Sequence, residues 1–160
     1  MTIACVDELI DTFACLNAEE LRARLAGSAA VLAAVPYAGF VAVDPLQEQA
    51  SLAHVHGPSR DPLRVRGWLA HSGVLKTLAT SSDPVALPWD PACGEPGFLA
   101  VPVPLATFDG AFLWVAGRPF DDGDEHLLGR FAVACGRAME AAQGLEAAIR
   151  LLRGVHAFRC

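Results

Sequence analysis

Two short apolar runs stand out in the last third of the chain. Residues 98–103 and 111–116 are almost wholly apolar and are bounded by Gly and Pro, as is typical of strands that are buried on both faces. Asp109 and Gly110 lie between them and form a dipeptide that favours a hairpin turn. The two strands are therefore predicted to pair antiparallel.

A long helical pattern follows the second run. We expect the helix to start near Asp122 and to extend past Gly144 to about Val155. Asp121 or Asp122 can cap it, and Asp124 or Glu125, three residues further on, can complete a capping box. Acidic residues also suit the positive end of the helix dipole.

The first two thirds of the chain alternate between helical and strand patterns. We predict a short amphipathic helix over residues 6–16, a second helix from Asn17 to near Val35, and a hairpin of residues 39–44 and 50–56. Residues 62–80 are helical in pattern but contain two glycines, which favours a broken helix or two short ones. A short strand follows, and residues 89–96 are expected to form a loop.

These elements predict an α+β fold. Its centre is a mixed, mostly antiparallel sheet of five or six strands, with the N-terminal and C-terminal helices on one face. Residues 62–80 and 89–96 are expected to cover the other face.

The C-terminal elements also resemble a known family. Gly97-Phe-Leu-Ala-Val-Pro, a glycine turn, an apolar strand and then Phe120-Asp-Asp-Gly-Asp-Glu are similar to the second half of a GAF domain. The resemblance extends from about Asn17 to about Ala142. It implies a GAF-like, PAS-related domain over residues 17–142, with an N-terminal helix over 1–16 and a C-terminal helix extension over 143–160. It implies no single ligand, because this scaffold serves many.

Charge and composition exclude several classes of partner. The net charge is −6 and Lys76 is the only lysine, so direct nucleic-acid binding is not expected. No apolar run is long enough to span a bilayer, and Asp7 and Glu8 stand where a signal peptide would be basic. We therefore expect a cytoplasmic protein with no membrane partner, and the GAF resemblance implies a bacterial one. The chain is expected to be a stand-alone protein, a subunit or part of a larger one.

The five cysteines are odd in number and show no Cys-x-x-Cys spacing, so neither a disulfide framework nor a zinc site is predicted. His54 and His56 are two apart in a predicted strand and should point to the same face. A metal would need further ligands that the sequence does not place beside them. We expect no metal and no cofactor.

The GAF resemblance implies a ligand pocket between the sheet and its second covering layer. The residues assigned to that pocket are Trp68, Ser72, Cys93, Phe98 and Trp114, together with His54 and His56. The expected polar contact is Ser72, His54 or His56. An apolar wall with a few polar groups is the usual composition of a small-molecule site. The alternative is that the tryptophans fill the space as core residues.

The sequence motifs give little support for the specific ligands and activities known in the GAF family. The loop before residue 97 lacks the histidine of haem-binding members, and no Cys-His pair marks a bilin site. Members that bind cyclic nucleotides carry a separated set of Asn, Lys, Phe, Asp and Glu residues. Only Phe120, Asp124 and Glu125 match residues of that set, and helix capping explains their presence equally well. Cys93 is placed like a redox cysteine of free methionine-R-sulfoxide reductases, but Leu75 stands where that pattern has a second cysteine. That chemistry needs a resolving thiol.

The prediction is a non-enzymatic sensory or regulatory domain that binds a small organic ligand and signals through its terminal helices. It is expected to be a homodimer, because an apolar stripe on the last helix exceeds what one sheet buries. The stripe consists of Leu127, Phe131, Ala134, Ala138, Ala141 and Leu145, continued by Ile149 and Leu152. The alternatives are a redox enzyme or thiol sensor centred on Cys93, and a degenerate dimerisation module. Residues 6–16 are the alternative cover for the stripe within one monomer.

Overall fold

The computed structural model describes residues 18–106 and 110–157. Five antiparallel strands form one sheet in the order β2-β1-β5-β4-β3. The strands are β1 (Tyr37–Asp44), β2 (Gln49–His56), β3 (Val85–Asp90), β4 (Glu95–Pro102) and β5 (Gly110–Ala116). The helices are α1 (Ala18–Leu32), α2 (Val65–His71), α3 (Val74–Thr80) and α4 (Asp122–Ala157). The α+β class and the strand count agree with the prediction.

The two helices α1 and α4 lie on one face of the sheet, which we call the helix face. Alanines dominate the buried side of α1, so that this helix packs close to the strands. The buried residues of α4 follow a spacing of four and three, and they are Leu128, Ala132, Cys135 and Met139. This spacing directs them to one side of the helix, where they join Leu99, Leu113 and Val115 in one core.

The two short helices α2 and α3 lie on the opposite face, which we call the cover face. Ser72 and Gly73 separate them, and Gly73 has a φ of 81°. The break predicted within residues 62–80 is therefore confirmed. Four helix residues pack with alternate residues of the central strands, and they are Val65, Leu69, Val74 and Leu78. The sheet consequently has a core on both sides.

The strand pairing follows the predicted hairpins. β1 pairs with β2 along its length, with an irregularity between Phe40 and Val41. β4 pairs antiparallel with β5, and Phe98 lies opposite Ala116. Asp109, the first residue of the predicted turn dipeptide, lies outside the described residues.

One element differs from the prediction. Residues 89–96 were expected to form a loop on the cover face, but Trp89 and Asp90 end β3, and β4 already begins at Glu95. Only a short 3-10 turn, Pro91–Cys93, and Gly94 separate the strands. The residues that indicated a long loop instead close a tight connection at the edge of the sheet, in which Gly94 has a φ of 75°.

The start of α4 is fixed by a reciprocal capping box. The Asp121 N–H donates to Asp124 Oδ2 and the Asp124 N–H donates to Asp121 Oδ1, both at 2.9 Å. Among the predicted alternatives, Asp121 and Asp124 are the pair that forms it. The helix then continues without a break for 36 residues, so residues 143–157 of the predicted extension belong to the same helix. The predicted helix over residues 6–16 lies outside the described part of the chain.

No helix in the described ranges is both long enough and apolar enough to cross a membrane.

Candidate functional site

Three aromatic rings occupy the cover face. The ring centroids of Trp68 and Phe98 are 5.2 Å apart, and those of Phe98 and Trp114 are 5.9 Å apart in a stacked arrangement. Phe98 and Trp114 are fully buried, whereas Trp68 is partly exposed. The structure therefore brings together three of the predicted site residues, and their rings fill space between the sheet and α2.

Trp114 carries an unpartnered polar atom inside this layer. Its indole lies over Gly39, the residue opposite it on β1, so closely that a Cβ at Gly39 would lie 2.6 Å from Cζ2 of the indole. The indole Nε1 is buried and has no hydrogen-bond partner among the described residues. A buried donor without an acceptor costs about 1–3 kcal/mol.

A hydrogen-bond network fixes the start of the covering layer to the sheet. The Tyr37 hydroxyl donates to Asp61 Oδ1 at 2.7 Å, and the same oxygen accepts the Val65 N–H at 2.8 Å. Burial, and then the bond to Asp61, raise the pKa of Tyr37, which keeps the hydroxyl protonated and able to donate. Asp61 thus links β1 to the first turn of α2.

Ser72 and Cys93, two further predicted site residues, are both exposed. Ser72 follows α2, and its Oγ accepts the Val74 N–H at 3.3 Å across the break between the covering helices. Cys93 ends the short turn between β3 and β4. The structure therefore does not bury these two side chains with the aromatic rings.

The surroundings of Cys93 are acidic. A hydrogen bond to Asp90 is the main cause that raises the pKa of the Cys93 thiol, and the charge of Glu95 adds to it. Both carboxylates disfavour the thiolate, as the sequence indicated. The other cysteine in the described ranges is Cys135, which is buried on the helix face and whose pKa burial raises to about 11.

His54 and His56 share a face, as their spacing predicted, but it is the helix face. His54 lies opposite Phe40 and His56 opposite Ala38, and both of these β1 residues belong to the helix-face core. The sheet therefore separates the two histidines from Trp114. In the described part of the chain, no three His, Cys, Asp or Glu side chains are grouped so that they could hold a metal ion.

Arg22 is a basic neighbour of these histidines that sequence reasoning did not single out. Burial, followed by the charges of His56 and Arg22, lowers the pKa of His54. Arg22 and Arg24 lie two positions apart in the same helix. Only the packing of α1 beside β2 distinguishes them, so the sequence alone held no signal for Arg22.

The long helix α4 carries a second apolar row beside the one that packs on the sheet. The row repeats with a spacing of four and three, and its members are Leu127, Phe131, Ala134, Ala138, Ala141, Leu145, Ala148, Leu152 and Val155. We call this row the seam. Leu145 is 41% exposed and Leu152 is 54% exposed, whereas Leu128 and Met139 of the adjacent row are buried. Within the described chain, the sheet therefore covers one row and leaves most of the seam exposed.

Comparison with known structures finds this architecture in GAF domains. The GAF-B domain of DevS from Mycobacterium smegmatis has a TM-score of 0.61 and 17% identity, over 82% of this chain and 99% of that one. The GAF domain of a protein described as a sensor histidine kinase, from Pseudomonas syringae pv. tomato, has a TM-score of 0.54 and 16% identity, over 91% and 89%. Neither models of sequence families nor curated protein sequences match the chain.

One similar structure is an enzyme. Free methionine-R-sulfoxide reductase from Neisseria meningitidis, solved in complex with its substrate, has a TM-score of 0.50 and 20% identity, over 84% of this chain and 86% of that one. At such identities the likeness establishes the fold. The described part of the chain therefore has the fold of a GAF domain.

Proposed function

We propose that this protein is a non-enzymatic sensory or regulatory domain that works as a homodimer joined through the seam of α4. The observation that carries the proposal is the pair of apolar rows on that helix. One row packs on the sheet, and the other has the heptad spacing of a coiled coil.

The length of α4 supports the same proposal. A helix of 36 residues is about 54 Å long at 1.5 Å per residue, but its last buried residue is Met139, and residues 140–155 contain none. In proteins, most of the stability of a helix comes from tertiary packing rather than from helix propensity. Packing against the seam of a second copy would stabilise residues 140–155 as a helix.

Further exposed apolar side chains adjoin the seam near the sheet. Val31 and Leu32 at the end of α1 are exposed, and a cleft between α1 and α4 places both of them with Phe131. A partner helix on the seam would cover this patch as well. The helices α1 and α4 would then form the interface together, and a change in their packing would be the output signal.

The test compares two substitutions on the same helix. Leu145→Glu places a charge in the seam, while Val133→Glu places it on another side of α4 at nearly the same exposure, 39% against 41%. Sedimentation velocity of the full chain at micromolar concentration should show a dimer for the wild type and for Val133→Glu, and a monomer for Leu145→Glu. A monomeric wild type, or equal behaviour of the two variants, would contradict the proposal.

We further propose that the cover face binds a small, largely apolar molecule that has a hydrogen-bond acceptor. The unpartnered Trp114 Nε1 supports this, because an acceptor would satisfy it. Phe98 and Trp68 offer ring faces beside it. The stacked rings fill the layer, so entry requires α2 and α3 to move, and the break at Gly73 provides a joint between them.

The absence of enzymatic activity is also a proposal. It is supported by the acidic surroundings of Cys93, which favour the protonated thiol. Leu75, in the position of the second cysteine of the reductase pattern, is a partly buried member of the cover-face core. No thiol stands at that position to resolve an oxidised Cys93.

A further inference from the structure

A concave site lies on the helix face, away from the aromatic rings. It is a cleft of about 430 Å³ beside the β1–β2 hairpin. α1 contributes Arg22, α4 contributes Met139 and Gln143, and the strands contribute Phe40 and Ala42. Nothing in the proposed function uses this cleft, because the sheet separates it from Trp114.

The floor of the cleft is a part of the sheet that the described helices leave open. Ala42 lies on β1, which has neighbouring strands on both sides, yet its side chain is exposed. Its cross-strand neighbours Ser51 and Ala111 also line the cleft. The small side chains of Ala42 and Ala111 create depth above the strands, and the larger Phe40 and Met139 close the inner end.

The two charged residues that line the cleft, Arg22 and Asp44, do not pair with each other. Arg22 is half-buried and makes no hydrogen bond or ion pair with the described residues. The acid in the lining is Asp44, whose Oδ1 already accepts the N–H groups of Leu46 at 3.0 Å and Gln47 at 3.3 Å. Asp44 thus holds the hairpin turn, and the described residues supply no acceptor to the guanidinium of Arg22.

We propose that this cleft binds a small organic carboxylate. The carboxylate pairs with the guanidinium of Arg22, which presents parallel donors that match two carboxylate oxygens. The apolar part of the ligand lies on Ala42 and Ala111 and reaches towards Phe40 and Met139. Gln143 lies in the lining as well, and its amide can hydrogen-bond to the ligand.

The probe for this site is hexanoate, which combines a carboxylate with a short apolar chain. Two-dimensional NMR of the full, isotope-labelled chain should show saturable shifts at the Ala42 amide and at the Arg22 Nε–H. Hexylamine, with the same chain and the opposite charge, should leave both signals unchanged. Arg22→Gln should weaken hexanoate binding about tenfold, which corresponds to about 1.4 kcal/mol.

Two further variants separate the site from general effects. Arg24→Gln makes the same change on the same helix at a residue that does not line this cleft, and it should bind hexanoate like the wild type. Ala42→Leu fills the floor and should weaken binding while the far-ultraviolet circular dichroism is unchanged. Equal binding by wild type and Arg22→Gln, or an unshifted Ala42 signal, would overturn the proposal. Nuclear Overhauser contacts between Ala42 and residues 1–17 would also overturn it, because that segment would then be the occupant.

Discussion

The indole of Trp114 lies over Gly39, its cross-strand neighbour, at a distance that leaves no room for a Cβ on β1. The added atom would lie 2.6 Å from the indole and would also meet the backbone oxygen of His54. A small residue on one central strand thus determines where the largest side chain of the next strand can lie. This relationship sets the shape of the aromatic layer on the cover face.

Gly39→Ala should therefore destabilise the fold by about 2–4 kcal/mol, because both the indole and a neighbouring strand must shift. Gly67→Ala is the matched control, since no atom lies within 4 Å of the added Cβ and Gly67 is in helix α2. It should be neutral or stabilise by up to about 1 kcal/mol. Urea unfolding followed by tryptophan fluorescence measures both. Equal stability of Gly39→Ala and wild type would show that the indole is not held against β1.

The Asp124 carboxylate should make the free energy of unfolding decrease at acid pH. Its carboxylate accepts two hydrogen bonds from Arg118, at 2.7 and 3.0 Å, and Arg118 Nε also donates to the carbonyl of Ala33 after α1. The hydrogen bond from Arg118 is the main cause that lowers the pKa of Asp124 from 3.8 to about 2. A depressed folded-state pKa gives stability that is complete above the unfolded value and lost as pH falls through the folded one.

The free energy of unfolding contributed by this pair should therefore decline between about pH 4 and pH 2. Asp124→Asn should lower stability near pH 7 by about 1 kcal/mol, since solvent screens a partly exposed pair. The difference from wild type should shrink towards about pH 2. Asp122→Asn is the control, because no hydrogen bond joins the Asp122 side chain to the described residues, and it should change stability by about 0.5 kcal/mol or less. A constant gap between Asp124→Asn and wild type across this range would contradict the assignment.

Cys93 should be accessible but slow to react at neutral pH. Its thiol is exposed and Asp90 is the main cause of its raised pKa, so alkylation by iodoacetamide should speed up as pH rises above about 9. Asp90→Asn should lower the pKa of Cys93 and accelerate its alkylation at about pH 8. Peptide mapping by mass spectrometry follows each site, and buried Cys135 serves as the internal unreactive control. An unchanged rate at Cys93 in Asp90→Asn would show that the carboxylate does not govern the thiol.

The non-enzymatic proposal predicts no turnover of free methionine sulfoxide. The purified chain, supplied with a thiol donor, should reduce the R epimer no faster than the donor alone, and Cys93→Ser should behave identically. Turnover that disappears in Cys93→Ser would replace the sensory proposal with the reductase alternative.

The elements that the sequence predicted well are those with local causes. The capping box of α4 and the break between α2 and α3 depend on neighbouring residues. The pattern therefore leaves only two candidates at each position of the box, and it predicts the break within residues 62–80. The side of the sheet that His54 and His56 face could not be predicted from local pattern. Alternation shows that the two share a face, but only the packing of α1 against β2 shows which face it is. Arg22 was missed for the same reason, because its importance comes from its place beside the open sheet surface.

The connection at residues 89–96 shows how composition can mislead. Proline and glycine are signals of both long loops and tight turns. Here Asp90 caps a single 3-10 turn by accepting the Cys93 N–H at 3.4 Å, and the strands begin on either side. The pairing of Trp89 with Pro96 shows that the connection is a tight turn and not a long loop. Such a cross-strand contact cannot be predicted from local composition.

Native mass spectrometry of the full 160-residue chain is the decisive test of a homodimer joined through α4, because it reports subunit number and retained ligand together. We expect a main species at twice the chain mass of 16.9 kDa, which Leu145→Glu converts to a monomer while Val133→Glu does not. A wild-type chain that remains at 16.9 kDa under the same conditions, at micromolar concentration, would contradict a homodimer joined through α4.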